Sequence, residues 1–174
     1  LGLTLGLMLS AAAVAEEADK LPQKDVAFSF EGPTGQYDRG ALQRGFQVYK
    51  EVCSACHAVK HLYFRDLAEI GYSEDQVKGI AAQVQVTDGP NDTGEMFQRP
   101  ARPSDPIPGP FPNNQAARAA NNGALPPDLS LITKAREGGA DYVYAILTGF
   151  KEAPSGVKMN PNMTYNEYFA GHQI

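Results

Sequence analysis

Cys53-Ser54-Ala55-Cys56-His57 holds the only two cysteines of a 174-residue chain. Two thiols three positions apart, with an imidazole next to the second, form the pattern of covalent haem attachment. Each thiol can add to one vinyl group of the porphyrin, and the adjacent histidine then lies under the iron as its proximal ligand. Such a group would make the chain an electron carrier, because haem iron cycles between two oxidation states. Other readings of a C-x-x-C pair fit less well. Tetrahedral zinc wants four ligands, and only His61 and His172 remain as further nitrogen donors. A thioredoxin-like redox motif expects a βαβ context, and no strand-rich pattern precedes Cys53. A disulfide would close a very short loop and gain little.

Outward from the pentapeptide, Arg39 to Val52 reads as a helix that delivers the chain into it. Leu42, Gly45, Phe46, Tyr49 and Val52 recur on one face, and Asp38 is placed to cap the start. After His57, Lys60 to Ile70 is a mixed segment of partly helical character. Ser73 and Gln76 form a capping box that opens a helix running to about Val84. Residues 87–114 carry Pro90, Pro100, Pro103, Pro106, Pro108, Pro110 and Pro112 among Gly, Asn and Asp. That density predicts a long ordered loop without regular elements. Gln115 to Asn121 reads as a short helix ended by Asn122-Gly123. Leu125 to Ser130 reads as a rigid extended entry to a turn of helix that ends near Gly138-Gly139. Asp141 to Thr148 is helical with Gly149 as its stop, and Lys151 to Ile174 has little periodicity.

The net charge of -5 makes nucleic acid an unsuitable partner. The 17 glycines and 13 prolines, with no tryptophan, imply a loop-rich fold. Residues 1–15 are uncharged and end in Ala13-Val14-Ala15 before Glu16-Glu17. They read as the remnant of a secretory signal peptide, too short for a membrane span. Residues 16–36 then read as an extended N-terminal arm. Export agrees with covalent haem attachment, which takes place outside the bacterial cytoplasm.

Three segments together point further. These are Gln43 to Tyr49 running into Cys53–His57, then Ala117 to Ser130, and then Gly138 to Gly149. Through them, and over nearly everything after residue 36, the chain resembles the cytochrome c1 family, in its proteobacterial form. The resemblance implies a mainly α, loop-rich, cytochrome c-like haem domain over 37–174, with a long proline-rich insertion. It implies one covalent haem c, held by Cys53 and Cys56, with His57 as the axial ligand of the iron. Pro126 or Pro127 would supply the carbonyl that orients His57. Arg118 would lie near a haem propionate, and Leu129 would pack on the porphyrin face.

The family resemblance further implies single-electron relay within a quinol–cytochrome c reductase. The chain would take electrons from a Rieske iron–sulfur subunit, beside cytochrome b, and pass them to a cytochrome c. It would sit on the periplasmic face of the bacterial inner membrane, held by a C-terminal helix, and would perform no bond-making catalysis of its own. The family's distal methionine is expected beyond Ile174. His61, His172, Met159 and Met163 are expected not to ligate the iron. The Leu42/Phe46/Tyr49 face is expected to be under-buried, and the chain less stable than a domain carrying a further helix across it. The alternatives are a haem domain of another respiratory or oxidase complex, a soluble periplasmic c-type cytochrome, an exported thiol–disulfide enzyme, and a peroxidase-like enzyme with an open sixth site.

Overall fold

Asp38 accepts a hydrogen bond from the Ala41 N–H through its side chain and starts helix α1, Arg39–Glu51. A computed structural model describes residues 24–174. The leader reading for 1–15, and the first part of the arm, lie outside the described residues. The described part of the arm is not extended throughout. The Gln36 N–H returns to the Ser29 carbonyl at 2.8 Å, and Phe30 stacks between Phe28 and Tyr37.

The chain divides into two compact units, and Asp25–Ala140 is the first. A 3₁₀ turn at Cys53–Ala55 follows α1, and a second at Phe64–Ala68 takes up the mixed segment. Helix α2, Glu74–Ala82, begins with the reciprocal Ser73–Gln76 capping box and ends slightly before the expected Val84. Phe64, Leu67, Val77, Ala81 and Ala101 form the buried core. Phe46, Ile80, Val84 and Ile107 pack against it. No residue of α1 is fully buried; Leu42, Phe46 and Tyr49 are half-buried.

The proline-rich stretch departs from expectation. Strand β1, Gln85–Asp88, pairs antiparallel with β2, Phe97–Pro100, in the register Gln85↔Pro100 to Asp88↔Phe97. Regular structure survives because Pro100 ends its strand, where a missing N–H interrupts no ladder. The turn between the strands is organised by the Asn91 side chain, which accepts from the N–H groups of Thr93 and Glu95. Arg99 lies between Asp88 and Asp105, donating Nε to the former and Nη1 to the latter at 2.6 Å. Helix α3, Asn114–Ala120, is capped by Asn113, and α4, Ile132–Ala135, is a single turn.

The second unit comprises, among the described residues, Lys24 and Asp141–Ile174. Most of helix α5, Gly139–Thr148, belongs to it. Asn166 is fully buried there, with both of its side-chain polar atoms hydrogen-bonded. Its amide donates to the Ile146 carbonyl at 2.8 Å and accepts from the Tyr168 N–H at 3.0 Å. Among the described residues, no helix is long and apolar enough to cross a membrane.

Candidate functional site

The pentapeptide is wound tightly because α1 ends directly into it. The N–H groups of Cys56 and His57 both donate to the Cys53 carbonyl, at 3.1 and 2.8 Å. The Ser54 hydroxyl reaches back to the Lys50 carbonyl at 2.8 Å. Both cysteines and the histidine are therefore carried on one turn. Cys53 is half-buried, Cys56 is exposed, and neither is bridged. An apolar hollow of about 210 Å³ lies on the α1 side, lined by Phe46, Tyr49, Ser54, Phe64, Ile80 and Ile107 among others.

His57 is held at two points. The Tyr49 hydroxyl donates to its backbone carbonyl at 3.1 Å. Its ring Nδ1 lies 2.8 Å from the Pro127 carbonyl oxygen. A carbonyl can only accept, so Nδ1 carries the hydrogen. In the neutral ring this leaves the Nε2 lone pair open for a metal. Burial pushes the Tyr49 phenol up from its ordinary range, with the negative charge of Asp128 adding to it. It stays a donor.

Residues 125–130 lie along the far side of the turn as an extended strap. The Leu129 N–H donates to the Ala58 carbonyl at 2.8 Å. The Lys60 N–H donates to Asp128 Oδ2 at 2.9 Å, and the His61 N–H to the Ser130 hydroxyl at 3.1 Å. Asp128 Oδ1 accepts from the Ser130 N–H at 2.9 Å. Partial burial would raise the Asp128 carboxyl. The hydrogen bonds from Ser130 and Lys60, and the Lys60 charge, outweigh it and hold the group below its usual range.

Of the candidate residues, Cys53, Cys56, His57, Pro127 and Leu129 come together here. Pro126 is half-buried beside them, but the carbonyl that meets His57 is that of Pro127. Arg118 is exposed and ties its helix to the following turn, donating Nη1 to the Gly123 carbonyl at 2.8 Å. Its remaining N–H groups are not needed for that bond. His61 meets the strap only through its backbone N–H in the bonds described above. His172, in the other unit, stacks on Tyr165 and donates Nδ1 toward the Asn166 carbonyl at 3.3 Å. Met159 is half-buried and Met163 exposed.

Asp128, Ser130 and Tyr49 take part in the site without having been singled out as site residues by their sequence. The local signal for the first two was the Asp-x-Ser spacing, in which a carboxylate bonds the N–H two residues on. Tyr49 had no such signal beyond its place one turn before Cys53.

The residues present fit a covalent c-type haem. Two unbridged thiols and an imidazole with an available Nε2 share one short turn, and a carbonyl fixes the ring. Among the described residues, no group of three or more His, Cys, Asp or Glu is arranged to hold a metal ion.

Comparison with known proteins agrees. The model of the Cytochrome C1 family matches residues 28–174. "Cytochrome b/c1" of Bradyrhizobium diazoefficiens is 51% identical over 188 residues, covering 95% of this chain and 27% of the relative. "Cytochrome c1 2, heme protein, mitochondrial" of Arabidopsis thaliana is 45% identical, covering 99% of this chain and 57% of the relative. "Cytochrome c1, heme protein, mitochondrial" of Saccharomyces cerevisiae is 45% identical, covering 95% and 54%. The chain thus spans little more than half of the mitochondrial relatives, and about a quarter of the Bradyrhizobium protein.

Proposed function

Since this chain belongs to the cytochrome c1 family, we propose that it carries one covalent haem c and relays single electrons within a quinol–cytochrome c reductase. Cys53 and Cys56 would hold the porphyrin by thioethers, and His57 Nε2 would be the proximal donor. When bound, the haem supplies an iron that accepts and releases one electron. The chain's own residues do the rest. The 3₁₀ turn orients the two sulfurs and the imidazole together. The Pro127 carbonyl fixes the tautomer and strengthens Nε2 as a donor. Leu129 would cover the macrocycle, and the free N–H groups of Arg118 would meet a propionate.

The observation that carries this reading is the His57 Nδ1–H bond to Pro127, made on the same turn as two unbridged thiols. The family and the names of its members support the wider setting. Electrons would arrive from a Rieske iron–sulfur subunit, beside cytochrome b, and leave to a cytochrome c. The net charge of -5 suits a basic protein partner. The reading places the chain on the periplasmic face of a bacterial inner membrane, and takes 87–114 as an insertion covering part of the haem domain.

The test is expression with the c-type haem attachment machinery. The protein should give a pyridine haemochrome of c type and keep its haem on a denaturing gel. Replacing both Cys53 and Cys56 by Ser should abolish covalent haem. Covalent haem surviving that double substitution would overturn the assignment. Co-purification with a cytochrome b and a Rieske protein tests the setting.

A further inference from the structure

Two successive residues of the strap that orients His57 have no N–H. Pro126 and Pro127 cannot be tied down by a backbone donor of their own. The Pro127 carbonyl is nevertheless held 2.8 Å from His57 Nδ1. The residue sharing that peptide plane is Asp128, and its carboxylate is bonded on both oxygens. Oδ2 accepts from the Lys60 N–H and Oδ1 from the Ser130 N–H, each at 2.9 Å. One bond reaches across to the segment after the pentapeptide, and the other closes the strap's own turn. Asp128 thus sits at the junction of three constraints: the peptide to Pro127, the bridge to Lys60, and the turn to Ser130.

From this geometry, and resting on the haem reading above, we propose that Asp128 is a positioning residue for the proximal imidazole, its carboxylate keeping the Pro127 carbonyl on the His57 Nδ1–H. The consequence is electronic as well as structural. A well-made Nδ1–H···O bond gives the ring imidazolate character and makes Nε2 a stronger donor, which favours the oxidised iron. Loosening the strap weakens that donor and raises the midpoint potential. The Leu129–Ala58 bond would keep the strap in place without its fine alignment, so haem attachment itself should survive.

The experiment uses the complete, haem-loaded protein and the variants Asp128→Ala and Asp128→Asn. Both remove the charge, but only Asn keeps an acceptor. The readouts are hydrogen exchange of the His57 Nδ1–H, followed by NMR in the reduced state, and the midpoint potential. In Asp128→Ala the exchange should quicken by about tenfold, the scale expected on losing charge-assisted bonds. The potential should rise further in Ala than in Asn. Exchange at the wild-type rate in both variants would overturn the proposal, whatever the potentials do, since charge loss alone would then account for them. If Asp128→Ala does not accumulate, Asp128→Asn decides alone, by faster or unchanged exchange. A wild-type protein without c-type haem would instead defeat the underlying reading, so the two failures are distinguishable.

Discussion

His57 is fixed from both ends by groups that neighbour it only in space or across a helical turn. The Pro127 carbonyl sets its tautomer, and the Tyr49 hydroxyl holds its backbone. The second contact has a direct test. Tyr49→Phe removes the donor while keeping the ring that packs beside Phe46. It should cost about 1 kcal/mol in chemical denaturation, the net worth of one hydrogen bond. A variant as stable as wild type would mean that water replaces the phenol fully. Asn166 shows the same logic in the other unit, where a fully buried amide has a partner for its nitrogen and for its oxygen.

At the scale of elements, the β1–β2 pair is held by chemistry as much as by pairing. Arg99 joins Asp88 on one strand to Asp105 beyond the other, and the three side chains bind the hairpin to the loop that follows. Arg99 holds the Asp105 carboxyl down at about 2, helped by the Arg102 N–H. A carboxyl lowered in the folded state stabilises the fold above the usual carboxylate range, and that contribution is lost as pH falls through the folded value. The stability difference between wild type and Asp105→Asn should therefore be largest near neutral pH. It should shrink as pH drops from about 4 toward about 2. A difference constant over that range would remove Asp105 from the account. Lys78, Glu74 and Asp75 form a pair of contacts on the open face of α2, where solvent screening leaves little net effect.

Across the molecule, each unit depends on a few close contacts. In the 141–174 unit, Gly149 has no room for a side chain. A Cβ there would lie 2.4 Å from Tyr168 Cδ2 and 2.8 Å from Asn166 Oδ1. Gly149→Ala should destabilise that unit by about 1–3 kcal/mol through overpacking, read as faster amide exchange around Asn166. Unchanged protection would show that the Tyr168 ring, the Ala145 carbonyl and the Asn166 amide all give way without loss. Much of the architecture was legible beforehand, and for a local reason. Asp38 before α1 and the Ser73–Gln76 box before α2 each satisfy backbone N–H groups within a few residues, so neighbouring letters suffice to specify them. The strands in 85–100 were not legible, because proline counts say nothing of whether a missing N–H falls inside a ladder or at its end. The choice between Pro126 and Pro127 was not legible either. Which carbonyl faces a ring 70 residues away depends on how the strap registers against Ala58 and Lys60. The adjacent letters Cys53 to His57 set out the two thiols and the imidazole, and the capping residues set the helix starts, since those rest on residue identity or on short-range bonding. Which oxygen orients His57, and that Asp128 bridges to Lys60 beside it, came only from the folded chain, since long-range hydrogen bonds take their register from the whole fold.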